Sequence, residues 1–215
     1  MAGGHRRVAR FWQKGTQPVA HWKSHAVCIL VLALLLTGCG GDDANAPSGA
    51  TATSAQAGGL NELQPLLAGR DVQAPDGRYS LRVPGEWVRY DDPIAELAFR
   101  TVAEDPALAM NVVREDIGDN PRVQVYAEEA RDRIGSIYRN VISLSLSPVR
   151  IGALEAYRWI YTASIGEQER LFYQVYLVDG GQGFVLTGSA PMTADLSTIS
   201  ATFDAIAGSM TFARG

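Results

Sequence analysis

The sequence predicts an α+β domain, one antiparallel sheet of six or seven strands with a helix on each face, behind an export segment and a polar tether. Three observations carry this. Glycine-led pairs at Gly152-Ala153, Gly166-Glu167 and Gly180-Gly181 divide the region into four strands at about 141–150, 154–165, 168–179 and 182–190, the spacing of hairpins. The third of these strands, Leu171-Phe172-Tyr173-Gln174-Val175-Tyr176-Leu177-Val178, is apolar on both faces, so it needs cover on both. Two helical stripes supply that cover. Tyr126, Ala130, Ile134 and Ile137 form one, and Leu196, Ile199, Phe203 and Ile206 the other, all at spacings of three or four.

The amino-terminal elements come first. Residues 1–38 carry Arg6, Arg7, Arg10, Lys14 and Lys23 and no acid, and residues 26–36 are an uncharged apolar run. That run is too short for a spanning helix of about 20 residues and has the order of an export signal. Residues 40–59 contain no aromatic and no large aliphatic side chain. Such a stretch cannot bury enough apolar surface to offset its ordering entropy, so a disordered tether is expected. Residues 60–68, interrupted by Pro65, are either one or two helical turns or part of the tether. The expected organisation is an export segment at 1–38, Cys39 and a tether at 39–73, and one globular domain at 74–215.

Within the domain, Tyr79, Leu81 and Val83 alternate with Ser80 and Arg82, a strand ended by Pro84-Gly85. Residues 97–102 and 108–113 are the next two strands, joined through Glu104-Asp105-Pro106. Asn120-Pro121 is expected to open the first helix, because Asn caps free N–H groups and Pro suits the first helical position. Glu128 and Glu129 precede Arg131 and Arg133, the order the helix dipole favours. The second helix is expected at about 194–208, and Ser209-Met210-Thr211-Phe212 closes the domain as a short strand.

Two resemblances follow from these residues. Leu36-Thr37-Gly38-Cys39, at the end of a basic-then-apolar segment, resembles the lipobox of bacterial lipoproteins. The resemblance implies a diacylglyceryl group on Cys39, cleavage before it, and a membrane anchor of two or three acyl chains, each CH₂ contributing about 0.8 kcal/mol. Gly40 stands where Gram-negative lipoproteins retained in the inner membrane carry Asp. The expected location is therefore the outer membrane facing the periplasm in a Gram-negative cell, and otherwise the outer face of the cell membrane. The opening Tyr79-Ser80-Leu81-Arg82-Val83-Pro84-Gly85-Glu86-Trp87, with its Pro-x-x-Trp, together with the element order over about residues 75–213, resembles the PsbP-like and DcrB-like families. That resemblance implies a three-layer α/β/α sandwich and no shared catalytic residues.

Composition narrows the function. Beyond residue 38 the chain has 14 arginines and no lysine against 23 acids, a net charge of −9 where the whole chain has −4. It has no histidine there and one cysteine, Cys39. Catalysis by a His-based triad, a Ser–Lys pair or a lysine Schiff base is excluded, as are a His-ligated metal and an intrachain disulfide. The acidic balance argues against nucleic acid as a partner. Three weaker candidates remain. The aromatics Tyr157, Trp159, Tyr161, Phe172, Tyr173, Tyr176 and Phe184 are expected to form core, with a sugar or lipid groove as the alternative. The acidic loop at residues 115–120 lacks the ligand spacing of a calcium loop. The pairs Asp91-Asp92 and Glu104-Asp105 are the carboxylates available for acid–base work.

The expectation is thus a non-catalytic, membrane-tethered accessory or assembly module, with no cofactor and no metal, that docks on another envelope protein. The alternative is a lipoprotein that binds a small lipid or sugar. The anchor is directly testable. Cys39→Ser should abolish incorporation of a clickable fatty acid and leave the precursor uncleaved, whereas equal labelling of the variant would refute the lipobox.

Overall fold

The computed structural model describes residues 69–102, 108–118 and 121–213. Their elements run β1 (Gly69–Gln73), β2 (Tyr79–Pro84), β3 (Val88–Arg89), β4 (Leu97–Arg100), β5 (Ala109–Asp116), α1 (Val123–Ile137), β6 (Arg139–Ile151), β7 (Leu154–Ile165), β8 (Gln168–Asp179), β9 (Gln182–Pro191), α2 (Leu196–Gly208) and β10 (Thr211–Phe212). A seven-stranded antiparallel sheet has the order β3-β4-β5-β9-β8-β7-β6, and β1-β2-β10 form a separate three-stranded sheet.

The long strands follow from their turns. Gly152 and Gly166 have φ of +57° and +61°, followed by residues with negative φ, as a II′ turn requires. At Gly180 and Gly181 both φ values are positive, which suits a I′ turn instead. β6 to β9 therefore form a meander, and β5 pairs with β9 through eight residues from Ala109↔Ser189 to Asp116↔Gln182.

Side chains divide by the two-residue period. Trp159, Tyr161, Phe172, Tyr176 and Val185 pack with Tyr126, Ala127, Ala130 and Ile134 of α1. Their neighbours Ile160, Tyr173, Val175, Leu177 and Leu186 pack with Ile199, Phe203 and Ile206 of α2 and with Tyr79, Leu81, Val83 and Trp87 of the small-sheet side. The core is therefore two clusters, one on each face of the large sheet.

Four expectations are corrected. Residues 69–73 form a strand where tether was expected. Their sequence has no apolar period, and what holds them is the ladder to β2 and the Arg70 guanidinium, which donates to the carbonyls of Gly85 and Trp87, 2.6 Å each. Residues 79–83 belong to that small sheet, and the two-residue β3 is the seventh strand of the large one. The first helix begins at Val123 with Arg122 at its cap and no capping side chain, so Pro121 lies outside it, and Asn120 falls outside the described residues. Its first turn holds no acid and its last turn no base, so the dipole contributes little there. Finally, Ile137 and Leu196, counted in the stripes, are exposed. Ile137 is the last residue of α1 before the chain turns into β6, and Leu196 is the first of α2, beyond the stretch that meets the sheet.

α2 does carry a cap. The Asp195 carboxylate accepts from the Thr198 backbone N–H at 2.8 Å, the Thr198 hydroxyl at 2.8 Å and the Ser197 hydroxyl at 2.5 Å. The Ser197 hydroxyl and the Thr198 N–H together hold its pKa down at about 2. A depressed folded-state pKa stabilises above the ordinary value of 3.8, and that contribution is lost as pH falls through about 2. Asp195→Ala should lower the thermal midpoint at neutral pH and flatten its decline over that acidic window, as followed by circular dichroism.

Phe203 is fully buried, stacked on Tyr173 at 5.5 Å and edge-on to Trp87 at 6.1 Å. A Cβ on Gly188 would lie 2.6 Å from its ring, so the ring occupies the place of a side chain on β9. Phe203→Ala should cost about 3–5 kcal/mol, and Gly188→Ala about 1–3 kcal/mol by overpacking. In denaturant titrations the double variant should lose clearly less than the sum, because removing the ring makes room for the methyl group.

Candidate functional site

The sequence candidates separate once placed. Of the aromatic set, Trp159, Tyr161, Phe172, Tyr173, Tyr176 and Phe184 are buried and Tyr157 is half-buried, as expected of core. Trp159 stacks on Tyr161 at 3.9 Å, and Tyr161 on Phe172 at 5.1 Å. On the α1 face the Tyr176 hydroxyl donates to Gln174 Oε1, and Gln174 Nε2 donates to Thr187 Oγ1 at 3.1 Å, so this buried amide is satisfied within the sheet.

On the other face sits a group that sequence reading missed. The Arg158 guanidinium donates to both Asp204 oxygens at 3.0 and 2.8 Å, and the Tyr173 hydroxyl donates to Asp204 as well. Burial, reinforced by Asp204, pushes the Tyr173 phenol well up, so it stays a neutral donor. This triad ties α2 to β7 and β8. A charged Arg in a strand and an Asp in a helix give no signal of pairing at a separation of 46 residues.

Of the described carboxylate candidates, Asp92 is engaged in structure. Asp91 and Asp92 line a cavity of about 230 Å³ with Arg89, Tyr90, Pro93 and Ala98. Asp92 accepts from the Ile94 N–H at 3.1 Å and from Asn111 Nδ2 at 3.0 Å, which holds the loop on β5. Glu96, at the rim, pairs with Arg114. Glu115 and Asp116 are the last residues of β5 rather than loop, and Asp116 accepts from the Gly118 N–H at 3.1 Å. Among the described residues no group of three His, Cys, Asp or Glu is placed to hold a metal. Cys39, Glu104, Asp105, Asp119 and Asn120 lie outside the described residues.

A larger, open groove lies at the edge formed by β6. This groove, of about 530 Å³, runs between α1 and the start of β6, lined by Arg131, Asp132, Gly135, Tyr138, Asn140, Val141, Ser143 and Trp159. Trp159 forms its floor. It is 1% exposed, and its indole N–H donates to Ser143 Oγ at 2.9 Å. At the adjoining end of α1 and along β6, Ile137, Ile142 and Leu144 are 54%, 55% and 49% exposed. Register irregularities between Arg139 and Ile142 and between Ser143 and Ser145 produce this surface. Asn140 takes a left-handed φ of +54°, which Asn tolerates. Leu144 has no partner in the β6–β7 ladder, and the bulge switches the strand's faces. Ile142 stands opposite Thr162, on the α2 face, whereas Leu146 stands opposite Trp159, on the α1 face.

No family model matches the chain, and no curated protein matches it. Solved structures do. LpqN of Mycobacterium tuberculosis, involved in cell envelope biogenesis, is 17% identical with a TM-score of 0.53 over 67% of this chain and 90% of its own. The cyanobacterial PsbP of Synechocystis is 14% identical with a TM-score of 0.51 over 78% of this chain and all of its own (100%). A Bacteroides thetaiotaomicron chain is 11% identical with a TM-score of 0.48 over 68% of this chain, which spans 49% of that one. At these identities the likeness shows the fold alone: an antiparallel sheet with two helices, of the kind seen in PsbP and in an envelope protein.

The Arg158–Asp204 pair allows a test of its structural role. Asp204→Ala should cost about 1–3 kcal/mol, since it leaves a partly buried guanidinium without its acceptor. Replacing both partners together, Arg158→Met with Asp204→Leu, should restore most of that loss in the same unfolding assay. Comparable destabilisation by both would mean the cost arises elsewhere.

Proposed function

We propose that this protein is an envelope lipoprotein, anchored through Cys39, whose domain is a three-layer sandwich of the PsbP-like kind and acts without catalysis by docking on another envelope protein. The observation that carries the reading is the β6 edge, where Ile142 and Leu144 are exposed on the strand, Ile137 is exposed at the adjoining end of α1, and a groove opens on the α1 face. Exposed apolar groups on a strand edge beside a concave surface support an interaction site. Support also comes from LpqN, a protein of similar fold that is involved in cell envelope biogenesis.

The ligand-binding alternative draws less support, because the aromatic residues that would hold a sugar or lipid are packed in the two clusters. An acid–base enzyme draws less still, because Asp92 and Glu96 are committed to loop and ion-pair contacts. Lipid anchoring would raise the effective concentration of the domain near its partner, so a weak contact suffices.

The test is site-specific crosslinking in intact cells. A photoreactive residue at Leu144 of the full-length chain should yield one defined envelope adduct, diminished when Cys39→Ser releases the protein from the membrane. The reading fails if no adduct forms from Leu144 or from other exposed apolar positions such as Leu196, while the purified protein hydrolyses an ester or glycan with saturable kinetics.

A further inference from the structure

We propose that the open edge of β6 takes up, as an added strand, an extended segment of the partner that is apolar in its middle and acidic at its ends. This rests on the docking reading above and names the surface and the chemistry of the occupant.

The backbone points to a strand. In the large sheet β6 and β3 are the two edges, and β6 has 13 residues where β3 has two. An edge strand presents unpaired N–H and C=O groups, and proteins commonly blunt long edges with charge. From Asn140 to Val149 this edge carries no charge at all. Pro148 and the bulge at Leu144 interrupt it without covering it.

The side chains point to an extended occupant rather than a helix. Ile142 projects on the α2 face of the sheet, and the groove of Tyr138, Val141, Ser143 and Trp159 opens on the α1 face. An added strand sends alternate side chains to both faces and meets both surfaces, whereas a helix laid in the groove meets one.

Charge selects the ends. The uncharged run is bracketed by Arg139 and Arg150, both exposed, in a chain that is acidic beyond its signal segment. A second copy of this chain, paired antiparallel over the full run, would bring Arg139 of each copy beside Arg150 of the other, like charges at both ends. A partner strand with acidic ends complements both. Glu155 stands opposite Arg150 in the register, so the sharper preference lies at Arg139.

The experiment uses full-length lipidated protein in detergent micelles and a fluorescein-labelled peptide, Asp-Asp-Val-Thr-Val-Thr-Val-Asp-Asp. Controls are the same peptide with Lys at its ends and a version N-methylated at alternate amides. The acidic peptide should bind about tenfold or more tightly than the Lys-ended one, and Arg139→Glu should reverse that order. Leu144→Asp should weaken it, N-methylation on the pairing edge should abolish it, and amide exchange should slow along β6. Equal binding of both peptides, tolerance of N-methylation, or protection away from β6 overturns the proposal. So does concentration-dependent self-association without peptide that Leu144→Asp abolishes, which would make a second copy the occupant. A cellular adduct formed from Leu196 but not from Leu144 refutes the β6 site while leaving docking intact. Absence of adducts from both refutes docking itself.

Discussion

The double-sided burial of β8 is the constraint on which the rest of the structure depends. Phe172, Gln174 and Tyr176 face one way, and Tyr173, Val175 and Leu177 the other, all of them buried. Each large apolar side chain removed from water contributes about 1.5–3 kcal/mol, so neither face can be left to solvent. One helix covers the first face, and a helix with the three-stranded sheet covers the second. β7 and β9 flank β8 and share its alternation, which is why both clusters run across three strands.

Polar groups inside this arrangement specify where the covers sit. Gln174 is held by Tyr176 and Thr187 within the sheet and asks nothing of α1. Arg158 and Asp204 cannot be satisfied apart, so they set α2 in one position over β7 and β8. Such a pair adds little over a well-packed apolar contact, yet separating its members leaves a partly buried charge without its partner. The Phe203 ring over Gly188 acts beside it in the same sense, a steric fit that a single methyl group on β9 would spoil.

At β6 the alternation breaks down, and the candidate surface arises from that break. Residues 142–147 read as alternating apolar and Ser, which in a regular strand would place Ile142, Leu144 and Leu146 on one face. The bulge between Ser143 and Ser145 instead leaves Leu144 unpartnered, sends Leu146 to the α1 cluster and Ile142 to the opposite face. Ser143 is thereby brought under the Trp159 indole as its acceptor. The polar residues that sequence reading weighed, Asp91 and Asp92, line a second cavity, and Asp92 helps to hold its loop.

The sequence by itself determined the meander, the two helices and the closed aromatic core. Those depend on local turn chemistry and on periods of two and near four, which are written in consecutive residues. It also carries Leu36-Thr37-Gly38-Cys39, which resembles a lipobox, and the absence of His and Lys beyond residue 38, both matters of residue identity alone. Only the tertiary structure decided that residues 69–73 form a strand, because polar residues there are held by β2's backbone rather than by a pattern of their own. It alone joined Arg158 to Asp204, since pairing across the fold leaves no mark in either neighbourhood. And it alone exposed Ile137, Ile142 and Leu144, because burial is set by where a helix ends and where a register slips, and both are settled by the packing of the whole sheet.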